Sequence, residues 1–161
     1  MPILDTWGWF GTRVPVRLPD DGSIDDNVER AFTNGHCHSF ALAVHGMTNW
    51  PIMGLISTTG DSEDSPGHCV LFDPKRNDYF DIGGYGAKER WKANVEEWWG
   101  ADIEVKEVLI TPADISNFTA YMEPEVEVAR PFAKTLLAGL DIVSSDVVAS
   151  KKRRTKKRSV K

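Results

Sequence analysis

The chain is poor in cysteine and has no long apolar run. Its 161 residues include two cysteines, Cys37 and Cys69, which are too few for a framework of disulfide bonds. A membrane span needs roughly 18–20 consecutive apolar residues, and no run in the sequence approaches that length. The N-terminus also lacks the basic stretch and the apolar stretch of a secretory signal. These absences predict a cytoplasmic protein that has no contact with membranes.

Basic residues are sparse until the end of the chain. Residues 1–150 carry 11 basic and 24 acidic side chains, a net charge of −13, whereas residues 151–161 carry eight basic and no acidic side chains. The acidic body is not expected to bind nucleic acid, but the tail is able to make weak contacts that do not depend on base sequence. The tail is also similar to basic nuclear-localisation clusters, so nuclear or nucleic-acid association stays open. The alternative is a solvated, disordered terminus.

Composition predicts one folded domain over residues 1–150 and a disordered tail over residues 151–161. Apolar residues make up 41% of the chain and charged residues 27%, as in ordinary globular proteins, and this length supports one core. Periodicity and turn residues predict the following elements: helices at 24–32, 87–99 and 124–140, the last broken or kinked at Pro131; strands at 52–58, 68–72, 79–82 and 103–110; a short helix after Thr111-Pro112; and packed aromatic side chains at Trp7, Trp9, Phe10, Trp91, Trp98 and Trp99.

One further predicted helix carries the first cysteine. Cys37 begins a series of apolar residues at i, i+3, i+4 and i+7, which is one face of a helix. Asn34 is the expected N-cap and Gly46 the expected stop, and His38 and His45 fall on a different face from Cys37. The cysteine therefore lies in the first helical turn, where free backbone N–H groups and the positive end of the helix dipole favour a thiolate.

Two of the predicted strands bring a histidine and an aspartate together. If the strands pair across a turn with an even number of residues, such as 73–78, then Val70 faces Asp81. Side chains alternate along a strand, so His68 and Asp81 then lie on the same face as diagonal neighbours, within reach of a hydrogen bond. Cys69 points to the opposite face, and we interpret it as a core residue.

Cys37, His68 and Asp81 form an ordered set that suits covalent chemistry at a carbonyl group. A thiol is a good nucleophile as the thiolate, so it needs a base nearby. His68 is the candidate base, and Asp81 is the candidate residue that orients the imidazole. The backbone N–H of Cys37, with Asn34 or His36 beside it, is a weaker candidate for holding an oxyanion.

The chain has a cysteine on a helix, then a histidine on a strand, then an aspartate on the next strand. In this order of residues and elements it resembles the papain-like cysteine peptidase superfamily in its broad sense, closest to transglutaminase-like and NlpC-like cores. The resemblance covers residues 34–86, although Val70 stands where transglutaminase-like proteins often have an aromatic residue. It implies an α+β fold in which the Cys-bearing helix packs on an antiparallel sheet, with additional C-terminal helices. It also implies cleavage or transfer at amide bonds of a protein or peptide-like substrate, without a cofactor. The motifs that carry the resemblance are Gly35-x-Cys37, Trp50-Pro51, His68-Cys69-Val70 and Tyr79-Phe80-Asp81.

Two other interpretations remain beside this one. The same fold is able to serve as a non-catalytic binding or regulatory protein, associated with nucleic acid through its basic tail. A zinc site is the second alternative, but the sequence has no C-x-x-C or H-x-x-x-H pair, so we expect no metal. The glycine-rich segment 83–86 lacks the spacing of a phosphate-binding loop, and it either lines the edge of the site or forms a plain turn. The residues considered as metal ligands are His36, Cys37, His38, His45, His68 and Cys69.

Overall fold

Two antiparallel sheets form the β part of the fold. The computed structural model describes residues 1–118 and 121–140, so the predicted tail at 151–161 lies outside the described residues. The smaller sheet is a hairpin of β1 (Ile3–Trp7) and β2 (Arg13–Arg17). The larger sheet has the spatial order β6-β5-β4-β3-β7, with every pair antiparallel. Its strands are β3 (Ile52–Ser57), β4 (His68–Asp73), β5 (Asp78–Asp81), β6 (Gly84–Tyr85) and β7 (Val105–Ile110).

Helices cover the larger sheet, and the mixed α+β class predicted from the sequence is confirmed. The helix that begins at the candidate nucleophile, α2, packs on β4 and on the last helix, α5. Within the described ranges, none of the helices combines the length and the hydrophobicity that crossing a bilayer requires. The helices are α1 (Asp26–Thr33), α2 (Cys37–Thr48), α3 (Ala87–Trp99), α4 (Pro112–Ile115) and α5 (Val126–Gly139).

The two faces of the larger sheet carry separate apolar clusters. Cys69 of β4 belongs to the larger cluster, together with the apolar residues of α2. Val70 belongs to the smaller cluster, together with Ala87 of α3. Because side chains alternate along β4, His68 shares the α3 face, where its ring stacks on Trp91 with 6.3 Å between the ring centroids.

Three predicted helix boundaries are wrong. Asn34 ends α1, and the N-cap of α2 is His36. Helix α2 does not stop at Gly46 but continues to Asn49, which ends it in the left-handed conformation that asparagine tolerates. Helix α5 continues through Pro131, because the buried face on either side of the proline stabilises the helix more than one missing N–H destabilises it.

Candidate active site

The register of β4 and β5 places His68 beside Asp81. Phe72 pairs with Tyr79, and the turn between the strands has an even number of residues, as predicted. Nε2 of His68 donates a hydrogen bond of 2.9 Å to Oδ2 of Asp81, and both side chains are buried. The other ring nitrogen of His68, Nδ1, is therefore available to interact with the thiol of Cys37. The structure thus brings two of the three predicted site residues into direct contact.

Asp81 is held on its other side as well. Its Oδ1 accepts hydrogen bonds from the backbone N–H of Gly83 at 2.8 Å and from Nη2 of Arg90 at 2.6 Å. Burial raises the pKa of Asp81, but the hydrogen bond from His68 and the positive charges of His68 and Arg90 keep this pKa below its ordinary value. The carboxylate is therefore charged and fixed in direction, as a residue that orients an imidazole must be.

The glycine-rich segment takes part in this arrangement. Gly84–Tyr85 forms the edge strand β6, and the carbonyl groups of both residues accept hydrogen bonds from Arg90. A Cβ atom at Gly83 would lie 2.8 Å from the guanidinium of Arg90, so glycine leaves the room that this side chain occupies. The segment lies at the edge of the site, which was one of its two predicted roles.

Cys37 is the first residue of α2. The His36 side chain at the N-cap lies 3.2 Å from Oγ of Ser39 and does not cap a helix N–H. The N–H groups of the first turn have no acceptor inside the helix, and they favour a negative charge at Cys37. The thiol is 8% exposed.

The environment of Cys37 favours its thiolate. Interaction with the side chain of Cys69 is the main reason that the pKa of Cys37 lies well below its ordinary value. Burial of Cys37 raises this pKa, and the imidazoles of His38 and His68 lower it. Burial lowers the pKa of His68, but the hydrogen bond to Asp81 and the interaction with Cys37 raise it to about 10. The pKa directions of Cys37 and His68 therefore favour a thiolate at Cys37 and an imidazolium at His68.

Cys69 has a role in the site that the sequence did not reveal. It is a core residue, as predicted, yet its side chain also interacts with Cys37. Its Sγ lies 3.4 Å from the hydroxyl of Tyr121, which donates a hydrogen bond of 2.7 Å to the carbonyl of Pro66. The pKa of Cys69 is raised well above its ordinary value by Cys37 and by burial, so Cys69 keeps its proton.

His38 also borders the site, although helical phase separated it from Cys37. Its Nε2 donates a hydrogen bond of 2.7 Å to the carbonyl of Met122, and its ring packs against Tyr121. Both His38 and Cys37 line the same cleft. His45 lies elsewhere on α2, where Nδ1 is 2.8 Å from the carbonyl of Trp50.

The two weaker predicted residues have different positions. Asn34 lines the cleft, and its carbonyl accepts a hydrogen bond from the backbone N–H of Trp7. His36 is buried against Ser39, outside the lining of the cleft. Burial lowers the pKa of His36, so this ring is neutral at physiological pH. His36 therefore has neither the position nor the charge to stabilise an oxyanion.

A cleft of about 940 Å³ reaches Cys37. Its lining includes Trp9 and Phe10 from the turn between β1 and β2, Trp98 from α3, and Tyr121. A second cleft, of about 410 Å³, lies along β7 and contains none of the candidate residues. Across residues 1–118 and 121–140, His, Cys, Asp and Glu side chains form no group of three or more arranged to hold a metal ion.

The expectation that the tryptophans and Phe10 are packed is wrong for several of them. Trp9 is 85% exposed and Phe10 is fully exposed. Trp98 and Trp99 are 72% and 63% exposed, because α3 rests on the sheet through Ala87 and Val95 instead. Trp91 is half-buried and stacks on His68.

The arrangement has the parts that nucleophilic attack on a carbonyl requires. They are a thiol whose pKa is lowered, an imidazole whose pKa is raised, a carboxylate hydrogen-bonded to that imidazole, and the backbone N–H groups of the first turn of α2. No protein-family model, curated protein or solved structure matches this chain.

Proposed function

We propose that the protein is a thiol-dependent hydrolase or acyltransferase that acts on amide bonds of a protein or peptide-like substrate. Cys37 is the nucleophile, His68 the proton carrier and Asp81 the residue that orients His68. The observation that carries the proposal is the buried hydrogen bond between His68 and Asp81, together with the position of Cys37 at the start of α2 and in the cleft. Peptidases, isopeptidases, deamidases and amidases all fall within this class.

The reaction has two halves. The thiolate of Cys37 attacks the carbonyl carbon, a C–S bond forms, and the π electron pair moves to the oxygen. When the tetrahedral intermediate collapses, the C–N bond breaks and His68 donates its proton to the leaving amine. Water, or an amine in a transfer reaction, then attacks the thioester while His68 takes its proton, and the thiolate leaves.

The N-terminus of α2 supplies a place for the oxyanion. The backbone N–H groups of Cys37 and His38 belong to the first helical turn, where they have no acceptor within the helix. Donors of this kind stabilise the charge that develops on the carbonyl oxygen. Asn34 also lines the cleft, and its amide is able to add a further donor.

The proposed fold is a papain-like core in the broad sense. A helix that begins with the cysteine packs on an antiparallel sheet whose successive strands carry the histidine and the aspartate. This order supports the proposal, and the N-terminal hairpin and α5 are additions to that core.

Alkylation of the two cysteines tests the proposal. We expect iodoacetamide at pH 7 to modify Cys37 much faster than Cys69, as measured by intact mass and peptide mapping. Cys69→Ala should still be modified at Cys37, although more slowly because Cys69 lowers the pKa of Cys37, whereas Cys37→Ala should lose the fast modification. His68→Ala should slow alkylation of Cys37, because the imidazolium no longer stabilises the thiolate. Equal reactivity of the two thiols, with no effect of His68→Ala, contradicts the proposal.

A binding or regulatory role without catalysis is the second candidate. Burial favours it, because Cys37 is 8% exposed and His68 is buried outside the lining of the cleft. An unreactive Cys37 in a folded protein would support this candidate.

A further inference from the structure

We propose that the cleft binds a polypeptide segment through one large apolar side chain, held by Trp9 and Phe10 of the hairpin and by Trp98 of α3. This inference rests on the proposed function, and it names the class of substrate that Cys37 receives. The three aromatic residues and Cys37 line the same cleft. The three aromatic residues lie outside residues 34–86, the segment that carries Cys37, His68 and Asp81. The aromatic site is therefore separate from the catalytic residues.

The hairpin turn presents its aromatic side chains to solvent. Trp9 is 85% exposed and Phe10 is fully exposed. Phe10 also has a φ of 58°, a left-handed conformation that is unfavourable for a bulky residue. Neither the packing nor the backbone conformation of the hairpin therefore accounts for an aromatic side chain at this position. Adjacent exposed aromatic residues beside a cleft are typical of a binding surface.

Helix α3 contributes the third aromatic side chain. Trp98 and Trp99 are neighbours and are similarly exposed, but only Trp98 lines the cleft among the described residues. The pair provides an internal comparison, because the same substitution at either position removes a similar amount of exposed aromatic surface from the same helix.

The charge of the cleft argues for an uncharged apolar group. Apart from Cys37, its described lining has one cation, Arg30, and one anion, Asp61, and these two charges cancel. The rest of residues 1–150 is strongly acidic, which disfavours phosphate groups and anionic lipid surfaces. Asn34 and Asn94 also line the cleft, and their amides are able to bond the peptide groups on either side of an apolar side chain.

The size of the cleft agrees with a peptide segment. Its volume of about 940 Å³ lies at the upper end of the roughly 300–1,000 Å³ found for small-molecule sites. A cleft of this size accommodates several residues, with the carbonyl of one of them beside Cys37.

Two peptide vinyl sulfones that differ in one side chain test the inference. In acetyl-Gly-Phe-vinyl sulfone and acetyl-Gly-Gly-vinyl sulfone, the thiolate of Cys37 adds to the vinyl carbon β to the sulfone, and the carbanion at the α carbon takes the proton of His68. We expect the phenylalanine probe to label wild-type protein about tenfold faster at low probe concentration, because it buries a large apolar side chain. Trp98→Ala and the double variant Trp9→Ala/Phe10→Gly should each lose most of this preference.

The controls separate binding from chemistry. Trp99→Ala should keep the preference, and all four proteins should react with iodoacetamide at the same rate. Loss of iodoacetamide reactivity at Cys37 contradicts the proposed function. Normal iodoacetamide reactivity without a preference between the probes, or a preference that the variants retain, contradicts only the inference.

A measurement without thiol chemistry keeps the inference testable even if Cys37 is unreactive. Acetyl-Gly-Phe-Gly-amide should bind to Cys37→Ala in isothermal titration calorimetry, and Trp98→Ala in that background should weaken binding about tenfold. If the aromatic residues instead mediate binding to phosphatidylcholine vesicles or self-association, with no peptide binding, the inference is overturned.

Discussion

Nε2 of His68 and Oδ2 of Asp81 lie 2.9 Å apart between two strands of one sheet, and both side chains are buried. A buried carboxylate next to a histidine favours the charged imidazole, and a charged imidazole next to a thiol favours the thiolate. The state of Cys37 therefore depends on Asp81, although Asp81 is outside the lining of the cleft.

Asp81→Asn tests this dependence. The variant removes the negative charge but keeps the shape, so the pKa of His68 should fall and that of Cys37 should rise. We expect alkylation of Cys37 at pH 6 to slow about tenfold for each unit by which the pKa of Cys37 rises above 6. Rates measured from pH 5 to pH 10 should converge at the alkaline end, where Cys37 is ionised in both the variant and wild type. A uniform loss at every pH would instead indicate damage to the fold.

Arg90→Gln should have a smaller effect of the same kind. The Arg90 side chain is 40% exposed, and Asp81 keeps its hydrogen bonds from His68 and Gly83 in the variant. We expect alkylation at pH 6 to slow by about two- to tenfold, the range for loss of one hydrogen bond. Lys92→Gln is the matched control, because it removes a surface ion pair with Glu96 from the same helix. An effect of Lys92→Gln as large as that of Arg90→Gln would contradict a role specific to Asp81.

The thiolate and imidazolium pair also predicts how stability varies with pH. Cys37 has a lowered pKa and His68 a pKa of about 10, so in the folded chain the two groups hold one proton until pH passes about 10. In the unfolded chain they lose their last proton near pH 8.5, the ordinary value for cysteine. Between these values the folded state binds more protons, so the free energy of unfolding falls as pH rises.

Urea unfolding of wild type and of Cys37→Ser/His68→Gln at pH 7.5, 9 and 10 measures this effect. The stability of wild type relative to the double variant should decrease above about pH 8.5 by up to about 1.4 kcal/mol for each pH unit. Groups whose pKa does not depend on Cys37 or His68 cancel in the difference, whereas Cys69, whose pKa is raised by Cys37, adds to the decrease. A difference that stays constant from pH 7.5 to pH 10 would show that the pair is not charged in the folded state.

Local patterns were enough to predict the contact between His68 and Asp81. Alternation along two strands and an even turn depend on sequence neighbours, and the register of Phe72 with Tyr79 confirms them. The position of Cys37 in the first turn of α2 likewise follows from helical periodicity.

Contacts between distant segments were not predictable in this way. Arg90 reaches Asp81 from α3, and Tyr121 reaches Cys69 from a segment 52 residues away. No periodicity within either segment indicates such a contact, since it depends on how the helices pack on the sheet. The exposure of Trp98 has the same origin, because hydrophobicity alone does not distinguish a core residue from one that lines a cleft.

Cys69 provides the last test, because it faces α2 and interacts with Cys37. Its thiol keeps its proton, so it is able to donate a hydrogen bond to the thiolate of Cys37. Cys69→Ala removes this donor, so we expect the pKa of Cys37 to rise and its alkylation at pH 6 to slow about tenfold for each unit by which that pKa exceeds 6. Cys69→Ser keeps a hydroxyl donor and should restore part of the rate, whereas at pH 9.5 all three proteins should react alike. If alanine and serine have the same effect at pH 6, Cys69 influences Cys37 through packing and not through its proton.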